Sequence, residues 1–122
     1  MRSFIIVTGF SGTGKSEIGA LLAETLGWRF VDTDKEVTKQ AGKSIAELFS
    51  QEGEVKFREL EGEVVRRALR GRKPTVVTVG GGVVMNQGLR TQMLASGFVV
   101  CLDATLETIY RRLTLRKGNG PK

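Results

Sequence analysis

The chain is predicted to fold as an α/β protein: a parallel sheet of about four strands with helices on both faces, three layers in all. Four short runs rich in β-branched and aromatic residues predict it: Phe4 to Thr8, Arg29 to Val31, Thr75 to Val79 and Phe98 to Leu102, separated by stretches of helical periodicity. Strands that alternate with helices pair in parallel through right-handed crossovers. A glycine-rich turn, Gly9-Phe10-Ser11-Gly12-Thr13-Gly14-Lys15-Ser16, joins the first strand directly to the first helix. With 122 residues, 40% of them hydrophobic, the chain is expected to form one domain over residues 1–122.

The first helix is expected from Lys15 to about Leu26, with Ile18, Leu21, Leu22 and Leu26 on one face and Gly27 as its C-terminal cap. Asp32-Thr33-Asp34 follows the second strand, and Asp34 is a candidate cap for a helix beginning at Lys35. Ser44-Ile45-Ala46-Glu47 fits a capping box that opens a short helix through Phe49. Glu54 to about Leu69 reads as a longer helix, stopped by Gly71 and then Pro74. Gly80-Gly81-Gly82 closes the third strand; Asn86 caps a helix through Leu94, and Thr105 to Arg116 reads as the last. Lys117 to Lys122 has loop composition.

Composition excludes several kinds of chemistry. There is no histidine, so any general base is a carboxylate. The single cysteine, Cys101, forbids an internal disulfide and is expected as a buried strand thiol. No apolar run approaches the roughly 18 residues of a membrane span, and Phe4 to Val7 is too short for a signal-peptide core; a cytoplasmic location without membrane partners is expected. The net charge of +6 comes from two clusters, Arg66, Arg67, Arg70, Arg72 and Lys73 at one helix end, and Arg111, Arg112, Arg116, Lys117 and Lys122 near the C-terminus. The first complements a helix dipole, and no aromatic residues interleave with it as a base-stacking platform requires, so no nucleic-acid partner is expected.

The turn itself carries chemistry. Glycines at 9, 12 and 14 let consecutive N–H groups turn inward around phosphate oxygens, and the helix opening at Lys15 adds the positive end of its dipole. Lys15 is placed to reach the outer phosphates of a nucleoside triphosphate, and the Ser16 hydroxyl to ligate a Mg²⁺ bridging two of them.

The acceptor side is read from three further groups. Asp32 and Asp34 lie at the C-terminal end of a strand, the edge where open α/β sheets bind ligands. One could hold water on the Mg²⁺ while the other contacts a hydroxyl nucleophile. Gly80 to Gly82 suggest either close backbone approach to a ligand or a tight turn. Phe57, Arg58 and Glu61 share a helical side, which pre-orients Arg58 for a substrate carboxylate or makes an ordinary surface pair.

The phosphate loop, Asp32-Thr33-Asp34, Phe49, the run through Gly53 to Phe57-Arg58-Glu59-Leu60-Glu61, and the triple glycine together resemble shikimate kinase in order and separation, across essentially the whole chain. The resemblance implies a P-loop kinase fold with strand order 2-3-1-4-5 and transfer of the γ-phosphoryl group of ATP to shikimate, on the route to chorismate and the aromatic amino acids. It implies that Gly9, Ser11, Gly12, Thr13, Gly14, Lys15, Ser16 and Glu17 surround the ATP phosphates, that Ser16 and Asp32 serve Mg²⁺, and that Arg116, or else Arg112, packs on adenine. It implies that Asp34 positions or deprotonates a ring hydroxyl, that Arg58 and Gly80 to Gly82 grip shikimate, that Phe49 and Phe57 line the pocket, and that Glu61 orients Arg58. A monomer is expected. Glu17 departs from the small or hydroxylic residue common in the family at that point. The family continues past the helix of Arg116 into a lid with an Arg-Pro-Leu-Leu run, a further strand and terminal helices; Lys122 stops short of these, so the lid and last strand are expected to be missing. The alternatives are another small-molecule kinase of the same fold, of the gluconate type, or a non-catalytic nucleotide-binding module.

Overall fold

The protein was analysed as a computed structural model that describes residues 3–9 and 14–102. Along the chain lie β1 (Phe4–Gly9), α1 (Lys15–Leu26), β2 (Arg29–Asp32), α2 (Thr33–Ala41), α3 (Ile45–Ala68), β3 (Thr75–Thr78), a 3-10 helix (Gly81–Met85), α4 (Gln87–Ser96) and β4 (Gly97–Leu102). The helix expected over Thr105 to Arg116 lies outside the described residues. The strands pair in parallel in the order β2-β3-β1-β4. That order places β1, the strand that feeds the glycine-rich turn, between β3 and β4, and lines up the C-terminal ends of β1, β2 and β3 along one edge.

Strand alternation sends side chains to two cores. Phe4 and Ile6 of β1, with Val77 and Val79, meet Val65 and Leu69 of α3 and Leu89 and Met93 of α4 on one face. Val7 and Val76 meet Ala23 of α1 on the other, with Ile5, Leu22, Phe30 and Leu102 packed around them. The result is the expected three layers. A smaller cluster of Val37, Leu48, Phe57 and Val64 ties α2 to α3. Among the described residues no helix is long and apolar enough to cross a membrane.

Two expectations are corrected. The buried stripe of α1 is Gly19 and Ala23, whereas Leu21 is 64% and Leu26 43% exposed. The small residues win because the helix packs close: a Cβ on Gly19 would sit 2.9 Å from the Phe30 ring. Hydrophobicity alone put all three leucines inside; close approach to the sheet turns Leu21 and Leu26 out, while Leu22 stays packed against the core. Cys101 is exposed rather than buried, because β4 is the edge of the described sheet and is paired only with β1. Phe98 and Val100 on the same strand are exposed as well.

Helix α3 is two helices in sequence, as the capping box and the Glu54 start suggested. Ser44 Oγ accepts from Glu47 N at 3.1 Å while Ser44 N donates to Glu47 Oε1 at 2.9 Å, closing the capping box. The break is Gly53, at φ 88° and ψ 168°, a region that only glycine enters without strain. A Cβ at Gly53 would have nothing within 4 Å, so Gly53→Ala tests backbone strain alone. We expect a loss of about 1–3 kcal/mol of stability, read as a lower urea midpoint at unchanged slope.

Candidate active site

The phosphate end is built by β1 and α1. Gly9 leaves the strand at φ 152°, and Gly14 enters the helix in the left-handed region at φ 82°, ψ 23°. Gly14 caps α1 without a side-chain hydrogen bond, so the first-turn N–H groups have no side-chain acceptor among the described residues. Such a terminus suits an anion. Ser11, Gly12 and Thr13, expected around the phosphates, and Arg116, expected on adenine, lie outside the described residues. Glu17 sits in the first turn of α1, exposed to solvent and away from the cleft walls.

Ser16 Oγ donates to Asp32 Oδ2 at 2.7 Å, so α1 and β2 bring a hydroxyl and a carboxylate side by side. Asp32 Oδ1 accepts from the backbone N–H groups of Asp34 at 3.1 Å and Lys35 at 3.3 Å. Asp32 therefore caps α2, and Asp34 does not. The strand runs to Asp32, one residue past the expected Val31, and the helix starts at Thr33 rather than at Lys35. Asp34, in the first turn, is left to face the cleft.

That cleft has a volume of about 210 Å³ and is walled by Lys15, Asp34, Ile45, Phe49, Phe57, Arg58, Glu61, Gly80, Gly81 and Gly82. The structure thus brings together Lys15 from the phosphate end and all of the residues expected on the acceptor side. Ile45 was missed. It is the first residue of α3, and nothing in its type separates it from an ordinary core position.

Arg58 is held from three sides. Its Nη1 donates to Glu61 Oε1 at 2.8 Å, its Nε lies 3.7 Å from Glu54 Oε2, and its guanidinium carbon stands 5.1 Å from the Phe57 ring centre. Phe57 in turn packs on Phe49 with ring centres 4.7 Å apart. The triple glycine has a local reason as well. A Cβ on Gly82 would overlap the Arg58 guanidinium, and one on Gly80 would sit 3.3 Å from Glu61 Oε2 and 3.7 Å from Asp34 Oδ1. The backbone gives way to the charged side chains of the cleft, which leaves them room to face inward.

The electrostatics follow from burial. Burial pushes the Asp34 carboxyl above its ordinary value; Lys15 opposes the shift and Asp32 adds to it. Glu61 is also pushed up, first by burial and further by Asp34, although Arg58 pulls it down through their hydrogen bond and charge. The direction decides the pH effect. Between the unfolded and the raised folded pKa the native state holds the extra proton, so these two groups remove stability as pH rises through that window. Replacing Lys15 with Met is expected to raise the Asp34 pKa further, and Asp32→Asn to lower it. Side-chain carboxyl shifts of Asp34 followed by NMR across a pH titration check both signs; movement in the opposite sense would break the charge assignment.

A parallel sheet of order β2-β3-β1-β4, with a glycine-rich turn from its inner strand into a helix and a carboxylate at the end of β2, one strand removed, defines the P-loop kinase class of α/β proteins. The chain belongs to the shikimate kinase family, whose profile matches residues 11–121. It is 47% identical over 112 residues to a shikimate kinase of Chlorobium limicola, covering 92% of this chain and 56% of that one. A shikimate kinase of Persephonella marina is 46% identical over 112 residues, with 92% of this chain and 67% of that one covered. Among solved structures, the shikimate kinase of Acinetobacter baumannii in complex with shikimate superposes with a TM-score of 0.80 at 36% identity, over 99% of this chain and 66% of that one. The Aquifex aeolicus enzyme gives 0.78 at 36% identity, over 86% and 62%. The chain therefore spans 56 to 67% of the length of these relatives.

Proposed function

We propose that this chain carries the phosphate-donor and acceptor sites of a kinase that moves the γ-phosphoryl group of ATP to a hydroxyl of shikimate, giving shikimate 3-phosphate. The reading treats the residues as one P-loop kinase domain. The observation that carries it is the shared cleft: Lys15 of the phosphate turn lines the same cavity as Asp34, Arg58 and the triple glycine. Donor and acceptor thus meet in one place, which is what in-line phosphoryl transfer needs.

Each side chain answers one demand. Lys15 neutralises charge on the transferred group, Arg58 takes the acceptor carboxylate in a fork, and Asp34 accepts the proton of the attacking hydroxyl. Phe49, Phe57 and Ile45 supply an apolar wall for a ring. Ser16 and Asp32 fit Mg²⁺: a hydroxyl and a carboxylate are oxygen ligands, and this cation takes few protein ligands beside phosphates and water. A cation held by Ser16 and Asp32 would offset negative charge on the transferred phosphoryl group.

The test is ATP-dependent phosphorylation of a panel containing shikimate, gluconate and a carboxylate-free cyclic polyol. Shikimate is expected to be preferred. Preference for gluconate would move the chain to the other kinase reading, and preference for the polyol would remove the role given to Arg58.

A further inference from the structure

A second cavity, of about 230 Å³, shares no lining residue with the acceptor cleft. Arg29 and Val31 of β2, Glu36 of α2, and Val64, Arg67 and Ala68 of α3 line it. Arg29 opens β2 and pairs in register with Thr75, the first residue of β3, so the cavity reaches toward the N-terminal ends of the strands. The acceptor cleft lies at their C-terminal ends.

The cavity exists because two cores stop short of each other. Val31 and Ala68 pack at the margin of the core between the sheet and α3, whereas Val64 belongs to the cluster that ties α2 to α3. Two-residue alternation puts Arg29 on the same face of the sheet as Val31, and a spacing of three and four residues puts Arg67 and Ala68 on the same side of α3 as Val64. Well-packed interiors leave few voids larger than a water molecule, and a gap of this size with an apolar floor has the form of a small-ligand site.

The charges at its mouth select the ligand. Arg29, Glu36 and Arg67 are exposed, and among the described residues none of the three forms an ion pair. Both signs of charge thus share one cavity without neutralising each other. Arg67 is steadied by a neutral group instead, its Nη1 donating to Gln40 Oε1 at 3.1 Å, which leaves its charge and its other donors for a ligand. Inorganic phosphate would meet the arginines but also face Glu36, and it would leave Val31 and Val64 uncovered. A purely apolar molecule would leave all three charges unmet. A molecule with a carboxylate, an ammonium group and a compact apolar body satisfies every part of the wall.

We propose that this cavity binds a free α-amino acid with an apolar side chain. Arg29 and Arg67 take the carboxylate, Glu36 takes the ammonium group, and Val31, Val64 and Ala68 receive the side chain. The volume suits it, being close to the roughly 210 Å³ of the cleft that receives the acceptor in the kinase reading.

The experiment titrates the ¹⁵N-labelled chain with L-leucine, L-methionine and L-phenylalanine and follows its backbone amides by NMR. With at least one of the three, the largest shifts are expected at Arg29, Val31, Glu36 and Arg67, not at Phe57, Arg58 and Gly81. For the tightest binder, Arg67→Ala is expected to weaken affinity by about 10-fold, the worth of hydrogen bonds to a charged group, and Arg67→Lys to restore part of it. Glu36→Gln is expected to cost about 3-fold, as an exposed charge pair does, and to leave the binding of the same acid without its amino group unchanged. All three side chains are exposed, so the variants should melt with the parent. Absence of shifts with all three amino acids would overturn the site, and so would shifts largest at the acceptor cleft. Binding at the cavity that ignores both Glu36→Gln and loss of the amino group would overturn the amino-acid assignment.

Discussion

Replacing Asp34 with Asn is expected to lower kcat for shikimate phosphorylation by about 10²- to 10⁴-fold, the range for loss of a positioned general base. The substitution keeps the shape and a carbonyl acceptor, so the acceptor hydroxyl is still met, but the group that takes its proton is gone. The nucleotide side is spared, because Asp32 rather than Asp34 caps α2 and bonds Ser16. The loss therefore falls on kcat more than on either KM. The pH profile supplies an independent sign. Burial raises the Asp34 pKa, so the acidic limb of kcat/KM lies above the range of an ordinary carboxylate, and activity rises as Asp34 ionises. In the asparagine variant that limb disappears. Turnover within about threefold of the parent would remove the base role and leave Asp34 a polar wall.

Much of this was legible in the chain because local chemistry and the site coincide. The glycine-rich turn can only follow a strand and open a helix, and Ser44 with Glu47 can only start one. The capping box at Ser44 and the separate start at Glu54 announced two helices, and the break between them is Gly53 at positive φ. What was not legible depends on distances between elements. Which of Asp32 and Asp34 caps α2 turns on one residue of strand length, and no periodicity fixes a strand end that closely. Leu21 and Leu26 outrank Gly19 on any hydrophobic scale, yet the glycine faces the sheet because the helix approaches the Phe30 ring. Cys101 reads as buried from its apolar neighbours, and its exposure follows from strand order, which a single strand does not reveal. The triple glycine read equally as close approach to a ligand or as a tight turn, and the groups that approach it are the cleft's own Arg58 and Glu61.

Arg58→Ala is expected to raise the KM for shikimate by about 10- to 100-fold, the worth of charge-assisted hydrogen bonds to a carboxylate, with a smaller change in kcat. The geometry gives the reason. Glu61 fixes one guanidinium nitrogen at 2.8 Å and Phe57 supports the guanidinium, so the remaining donors are pre-oriented before any acceptor arrives. Lys in place of Arg keeps the charge and loses the fork, and should recover only part of the affinity. A second effect must be separated from the first. Glu61 is 3% exposed, and without Arg58 it loses both influences that pull its pKa down. Arg58→Ala should therefore also lower stability as pH rises through the raised Glu61 pKa, because the buried carboxylate then ionises without its partner. Glu61→Gln added to Arg58→Ala removes that buried charge. If the double variant regains stability while KM stays high, Arg58 acts on the acceptor directly. If KM recovers along with stability, Arg58 serves the fold of α3, and the carboxylate of the substrate must be held elsewhere.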